Sequence, residues 1–460
     1  VDRLRALGLD DVHAESFHFP RHDVSAATLA VTVAGAARPV GFDVLEGSGS
    51  ARVEGDVVAV GGATATELDA VDVRGRIALV ERRQTYHRST QYRNVAARGA
   101  LAMLYVSDAV DNLRQVGSVR RTFEAMGDIP ALSIGGLDGA ALAHDAHATL
   151  EVRASSTPAT GQNVLGRIAG ALPSQIVVGA HYDSWFAGSS DNGGGVAALL
   201  ALAARRSRPG APKPRHTLVF VAYDGEEIAL YGGYDFLRRH RAEVVAAVNF
   251  EVPSAVGASF AGLGRSNLAT VESAVDDAGL RGDYLLTVPM DAVPQLFGGI
   301  IPTDIQGLYR SGVPTISTAV AAPYYHTVAD TPDKVDTALL ADAVDRFDLA
   351  LAELDAADDA LLAVPDPALW RASASVVEND GQVTVSVAVT DAAGAPRAHA
   401  PVAALILTDD FFLGEEVSGT TDDVGNATLG LPAHAGQPRR SVHVTAGPVY
   451  PLVETVVSLP

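Results

Sequence analysis

Ile176 to Ser207 reads IVVGAHYDSWFAGSSDNGGGVAALLALAARRS. Its opening run, Ile176 to Ala180, is short, apolar and β-branched, the pattern of a strand buried on both faces. His181 and Asp183 follow where that strand should stop, and a polar loop carries Ser189, Ser190, Asp191 and Asn192 into three glycines. From Val196 apolar residues recur at helical spacing (Val196, Leu199, Leu200, Ala203) up to Arg205-Arg206. Strand, polar loop, glycines and helix make one unit of an open α/β sheet, where ligands bind beyond the carboxyl ends of strands. The stretch therefore predicts the floor of an active site bearing His181, Asp183 and Asp191.

The α/β pattern continues on both sides, from Gln162 to about residue 360. Predicted strands are Asn163–Ile168, Gln175–Ala180, Thr217–Tyr223, Val244–Phe250, Tyr284–Val288 and Val313–Thr318. Predicted helices include Ile228–His240, Ser266–Ala278 and a long amphipathic run from Asp336 to Leu362. Pro365 and Pro367 then break the pattern and mark a linker. Beyond Ala368 apolar residues alternate in short runs separated by turn residues, the spacing of an antiparallel sandwich with no visible chemistry. The module is expected to be separable. Before the α/β part, residues 1–35 hold a short helical pattern and a strand near Ala27–Val33. Residues 36–158 hold short β-rich runs (Asp56–Val60, Ile77–Glu81, Leu101–Val106, Ala131–Ile134) and one helix-like segment, Gln91–Gly99. Tyr86 and His87 read there as polar surface residues.

Three further strand ends carry chemistry. TLVFVAYDGEEIALYGG places Glu226 and Glu227 after the strand Thr217–Tyr223, AAVNFEVPS places Glu251 after Phe250, and APYYHTVADTPDKVD places Tyr325 and His326 before the last helix. Adjacent glutamates alone would fit the negative first turn of a helix. Many like charges on one sheet edge repel each other and raise each other's pKa unless a cation neutralises them. Two imidazoles plus carboxylates, with no sulfur, suit zinc or a similar divalent ion, and a carboxylate shared between two ions gives a two-metal site.

The motifs HYDSW…SSDNGGGVAALL, YDGEEIALYGG, NFE and YYHTVADTPDKVD resemble, in order, those of the bimetallic zinc exopeptidases, the group of bacterial leucine-type aminopeptidases and glutamate carboxypeptidase. VRGRIALVERRQTYHRSTQYRNVAARGALAMLYVSD resembles the protease-associated domain inserted in several secreted peptidases. SGTTDDVGNATLGLP resembles the last strands of immunoglobulin-like or transthyretin-like modules. The resemblance implies a three-layer α/β zinc-exopeptidase fold with a mixed central sheet, a β-rich protease-associated insert and a C-terminal β-sandwich. It divides the chain into a catalytic domain (1–35 and 159–364), a protease-associated-like domain (36–158) and an accessory sandwich (366–460). Two zinc ions are implied, with His181 and Glu251 on one, Glu227 and His326 on the other, and Asp191 bridging. Glu226 is implied as the general base acting on a metal-bridging water, Asp183 as the partner that orients His181, and Tyr325 as a group polarising the substrate carbonyl.

Two positions depart from the family pattern. Glu251 stands where aspartate is usual, and its extra methylene demands a shifted backbone or a changed metal occupancy. In PTDIQGLYRSGVP, Ile305 replaces a histidine while Asp304 is retained.

The expected activity is an aminopeptidase acting on peptides. A carboxypeptidase or dipeptidase of the same fold remains open, since the metal motifs are common to all. A non-catalytic receptor or scaffold expects missing ligands, and every ligand position here holds a competent residue. A glutaminyl cyclase fits less well, because its relatives generally keep one zinc. Composition narrows the field further. The 460 residues carry a net charge of −21, which disfavours nucleic acid and anionic lipid as partners. No cysteine is present, so disulfides, thiolate zinc sites and a cysteine nucleophile are excluded. No apolar run reaches a membrane-spanning length. A removed leader would account for a chain beginning at Val1, as would trimming, and a secreted, extracellular or periplasmic location is expected. Sequence leaves the oligomeric state open.

Overall fold

The computed structural model describes residues 1–84, 86–120, 123–255, 259–264, 288–289, 300–363, 369–408, 416–436, 440–448 and 451–459. The expected helix Ser266–Ala278, most of the expected strand Tyr284–Val288 and the Pro365–Pro367 break lie outside these residues.

The apolar run that opens the diagnostic stretch is a strand, Leu172–His181, whose residues from Gln175 onward are buried. It lies between parallel neighbours, His216–Tyr223 on one side and Val244–Asn249 on the other, and Thr315–Ala321 pairs parallel beyond the latter. Parallel pairing puts the carboxyl ends of all four strands on one edge. Antiparallel strands flank them, Ala146–Ile168 on one side and Ser259–Gly264 on the other, so the sheet is mixed.

Helices cover both faces, as a sheet buried on both sides requires. On one face Gly195–Ser207 and Thr337–Ala356 pack together through Leu199, Leu202, Phe347 and Leu351 against Ile176, Val178, Phe220 and Val248. The second helix starts at Asp336, whose carboxylate accepts from Ala338 N at 2.9 Å and Leu339 N at 3.0 Å, capping its first turn. On the other face Tyr231–His240 and Gln306–Arg310 bury Tyr234, Phe236, Leu237, Leu308 and Tyr309. This is the three-layer arrangement expected.

One long element escaped the sequence reading. The strand expected at Ala27–Val33 runs from Asp10 to Val33 and pairs antiparallel with Ala146–Ile168 along nearly its whole length. Its middle (HAESFHFPRHDV) is exposed or half-buried apart from Phe17 and Pro20, so no apolar alternation announces it. Main-chain pairing holds the ribbon instead. Through it the catalytic strands continue into parallel strands Ala51–Ala59, Ile77–Glu81, Ala102–Val106 and Ala131–Ile134, giving one sheet of 14 strands among the described residues. The helix beside them spans Arg88–Ala97. Arg120 is buried on Glu46 at 2.7 Å and donates to Pro20 O in the ribbon at 2.5 Å. Its guanidinium also lies 5.4 Å from the Tyr231 ring centroid, tying the insert to the catalytic helix layer.

The C-terminal residues form two antiparallel sheets, Arg371–Asn379/Gln382–Thr390/Asn426–Pro432 and Val417–Thr420/Pro401–Leu407/Ser441–Ala446/Val453–Ser458. The sequence suggested a separable module. In the structure its core is continuous with that of the catalytic domain, Val385, Val402 and Val444 joining Tyr234, Ile305 and Leu308 in one apolar cluster. Inside this contact Arg310 Nη1 meets Glu454 Oε1 at 3.1 Å, and Tyr234 Oη donates to the same carboxylate at 2.9 Å. Both charged side chains are almost fully buried.

Removing one partner of a buried ion pair strands the other charge and costs about 3–5 kcal/mol, whereas replacing both with apolar groups is often neutral. Glu454→Ala should therefore lower the unfolding free energy by about that amount, and Arg310→Met/Glu454→Met should recover most of it. Denaturant unfolding monitored by circular dichroism checks both.

Candidate active site

Each strand of the parallel quartet ends in a residue of the candidate site. His181 closes the central strand and is fully buried. Its Nδ1 donates to the main-chain carbonyl of Asp183 at 3.0 Å, leaving Nε2 facing Glu251 Oε1 at 3.2 Å and Asp191 Oδ1 at 3.3 Å. Beyond Tyr223 a tight turn brings in Glu226 and Glu227. These glutamates are not in the first turn of a helix: Ala229 and Leu230 adopt positive φ, and the helix starts only at Tyr231. Glu251 follows the third strand, and His326 follows the fourth. His326 Nε2 lies 3.1 Å from Asp191 Oδ2 and 2.9 Å from Glu227 Oε2.

The residues thus converge as two triads, His181/Asp191/Glu251 and Asp191/Glu227/His326, each with one ligand atom per residue within 4.8 Å of the others. Asp191 belongs to both. Both oxygens of Asp191, Oε1 of Glu227 and Oε2 of Glu251 are buried without a hydrogen-bond partner. Buried carboxylate oxygens left unpaired are costly unless a cation satisfies them. With two imidazole nitrogens and hard oxygens, the donor set fits zinc.

The electrostatics agree. Burial alone would lower His181, but Glu251, Asp183 and Asp191 around it outweigh that and hold it well above its ordinary value. His326 is raised in the same way, burial being outweighed by Glu227 and Asp191. Burial pushes Glu227 and Glu251 up, while the two histidines overcome burial at Asp191 and hold it down. Glu226 is half-buried and faces the cavity beside the triads. Burial, reinforced by Glu251, Glu227 and Asp304, lifts its carboxyl well above the ordinary range against the pull of His181. Asp304 is likewise raised, chiefly by burial.

Asp183, expected to orient His181, meets that ring chiefly through its main-chain carbonyl. Its Oδ1 lies 3.5 Å from His181 Nδ1, which bonds the Asp183 carbonyl instead. The carboxylate accepts from Glu226 N at 3.2 Å and Glu227 N at 3.1 Å, fixing the turn that presents both glutamates. Tyr325 stacks on His326 with centroids 3.6 Å apart and borders the cavity. Burial pushes its hydroxyl well above its ordinary value, with Arg88 pulling the other way.

Several supporting residues were not singled out by sequence. Asp330 accepts from Ser190 N and Asp191 N at 2.9 and 3.0 Å, and Asn192 ties Phe250 O and Val252 N to the same loop. A Cβ on Gly194 would meet Ser254 Oγ at 2.0 Å, and one on Gly195 would meet Asn192 Oδ1 at 2.2 Å, so this loop needs its glycines. From the insert, Val116 O accepts from His326 Nδ1 at 3.0 Å, Val116 N donates to His326 O at 3.0 Å, and Gln115 holds Tyr325 O at 3.2 Å. His87, read as a surface residue, is half-buried and lines the cavity together with Arg88. Contacts between parts so distant in sequence leave no local signal. Trp185 lay inside the quoted HYDSW motif, and its Nε1 donates to Glu227 Oε2 at 2.7 Å.

Partners that orient metal-binding side chains are worth about 10–100-fold in metal affinity. Trp185→Phe should therefore weaken zinc binding by at least about 10-fold with an unchanged circular dichroism spectrum, as read by competition with a chromophoric chelator.

Residues 163–349 match the model of peptidase family M28, and residues 53–142 that of the PA domain. Aminopeptidase NAALADL1 of Mus musculus is 32% identical over 139 residues, 28% of this chain, and the match spans only 17% of that protein's length. The probable glutamate carboxypeptidase AMP1 of Arabidopsis thaliana is 26% identical over 173 residues, 34% of this chain and 24% of that protein. In fold, the chain is similar to BSAP, a zinc aminopeptidase from Bacillus subtilis, with a TM-score of 0.55 at 21% identity, covering 78% of this chain and 87% of that one. The chain carries a peptidase family M28 domain over residues 163–349, with a PA domain over residues 53–142.

Proposed function

We propose that this protein is a zinc-dependent aminopeptidase that uses two ions, one held by His181 and Glu251, one by Glu227 and His326, with Asp191 shared. The observation that carries the reading is the pair of buried triads meeting at Asp191 with Glu226 beside them. Zinc in such a site acidifies water towards neutrality and polarises a peptide carbonyl. Glu226 then accepts the proton from the attacking water and returns it to the leaving amine, a task its raised pKa suits. Tyr325, whose hydroxyl burial keeps protonated, donates a hydrogen bond to the carbonyl oxygen as it gains charge. Asp183 positions Glu226 and Glu227 through their main-chain N–H groups. The similarity to an aminopeptidase supports a free amino terminus as the end that is recognised. A secreted, extracellular or periplasmic location belongs to the same reading, supported by the resemblance of residues 36–158 to inserts of secreted peptidases.

Arg88 favours a second reading. It borders the cavity beside Tyr325, where its guanidinium suits a substrate carboxylate, as in a carboxypeptidase or dipeptidase. Peptides free or acetylated at the amino end, and free or amidated at the carboxyl end, separate the two. Release of the first residue that acetylation abolishes and amidation leaves within a few-fold supports the aminopeptidase. Release of the last residue, abolished by amidation, supports the alternative.

Glu226→Gln should retain zinc content and fold while kcat falls by about 100-fold or more, since general acid–base groups contribute about 10²–10⁴-fold. Turnover within a few-fold of wild type would remove Glu226 from that role.

The two ions should also differ in affinity. Glu251 is one methylene longer than the usual aspartate, so its carboxylate must fold back, bind through one oxygen or push the ion away from Asp191. The site it shares with His181 should therefore empty first under chelation, and Glu251→Asp should change affinity there and turnover together. Stepwise zinc titration followed by anomalous scattering locates the ion that persists, which is expected between Glu227 and His326.

A further inference from the structure

The cavity beside Glu226, Glu227 and Tyr325, about 550 Å³, does not end on the catalytic domain. Its far wall is the C-terminal sandwich, through Leu405, His443, Thr445, Leu452 and Glu454. That wall is rigidly placed. Glu454 Oε1 is engaged by Arg310 and Tyr234, and the His443 ring packs edge-on against Phe123 at 5.3 Å and Tyr234 at 5.7 Å between centroids.

His443 and Glu454 are 4% and 5% exposed and frame this wall, their unpartnered atoms Nδ1 and Oε2 being closed off from the cavity. The half-buried Leu405, Thr445 and Leu452 are the sandwich side chains that meet an occupant. A largely apolar wall continuous with Glu226 and Tyr325 suits the side chains of an extended peptide whose reacting bond lies at those residues.

We propose that the C-terminal sandwich forms a distal subsite of the peptidase cleft for an extended peptide. Leu405, Thr445 and Leu452 pack against the peptide's side chains, on a wall held in place by Glu454 and His443. The sandwich then sets how much of a peptide the enzyme reads beyond the bond it cuts. This inference rests on the peptidase reading above.

The test uses the full chain loaded with zinc and carrying Glu226→Gln, with dialanine and hexa-alanine as probes in calorimetric titration. Hexa-alanine should bind at least 10-fold tighter than dialanine, and adding Leu405→Trp or Thr445→Arg should erase that ratio. Hydrogen exchange needs no wall variant: residues 441–446 should gain protection with hexa-alanine and not with dialanine. Equal binding of the two peptides, no binding of either, or a ratio that survives both wall substitutions in folded protein overturns the proposal. So does unchanged protection of residues 441–446. Wild-type protein assayed on the same peptides separates the two readings. Length-dependent binding without hydrolysis would remove the peptidase reading and leave the subsite standing.

Discussion

Everything at this site follows from crowding carboxylates where water cannot screen them. Asp191, Glu227 and Glu251 are buried at one sheet edge, with Glu226 half-buried beside them. At low effective dielectric their mutual repulsion is large, and two histidines relieve only part of it. The fold accepts this cost because four parallel strands deliver their ends to one edge, and main-chain pairing fixes the directions in which the side chains leave. A divalent cation is the natural complement of such a cluster, so the same arrangement that opposes folding favours metal binding.

The catalytic domain does not hold this arrangement alone. His326 Nδ1 donates to Val116 O in the insert, Val116 N donates back to His326 O, and Gln115 donates to Tyr325 O. The sandwich reaches the same cavity through Glu454 and the ring of His443. The imidazole whose Nε2 faces Asp191 and Glu227 thus has its other nitrogen fixed by a different part of the chain.

Much of the site was legible in the sequence because it sits at strand ends, where an apolar run stopping at His181, Tyr223 or Phe250 marks the position. The central strands and the helix at Gly195–Ser207 were legible for the same reason: buried apolar periodicity survives as a local pattern. The ribbon Asp10–Val33 was not, since most of its middle faces water and its pairing with Ala146–Ile168 is non-local. Nor were the packing of the sandwich, which encloses the buried Arg310–Glu454 contact, and the place of His87 in the cavity. The turn at Glu226-Glu227 reads as a helix start by composition, and the positive φ of Ala229 and Leu230 overrides that preference.

Those dihedrals bear on how the site is held. Phe186, Ala229, Leu230, Val252 and His326 all adopt φ between 47° and 99°, a region that costs non-glycine residues energy. They border the carboxylate cluster, and each of the last four is over-determined by its surroundings. Ala229 N and Leu230 N donate to Glu226 O, Val252 N donates to Asn192 Oδ1, and His326 is clamped by Val116. Strain of this kind persists only where neighbouring packing and hydrogen bonds outweigh it. The directions in which these side chains leave the backbone are therefore set by neighbouring hydrogen bonds and packing.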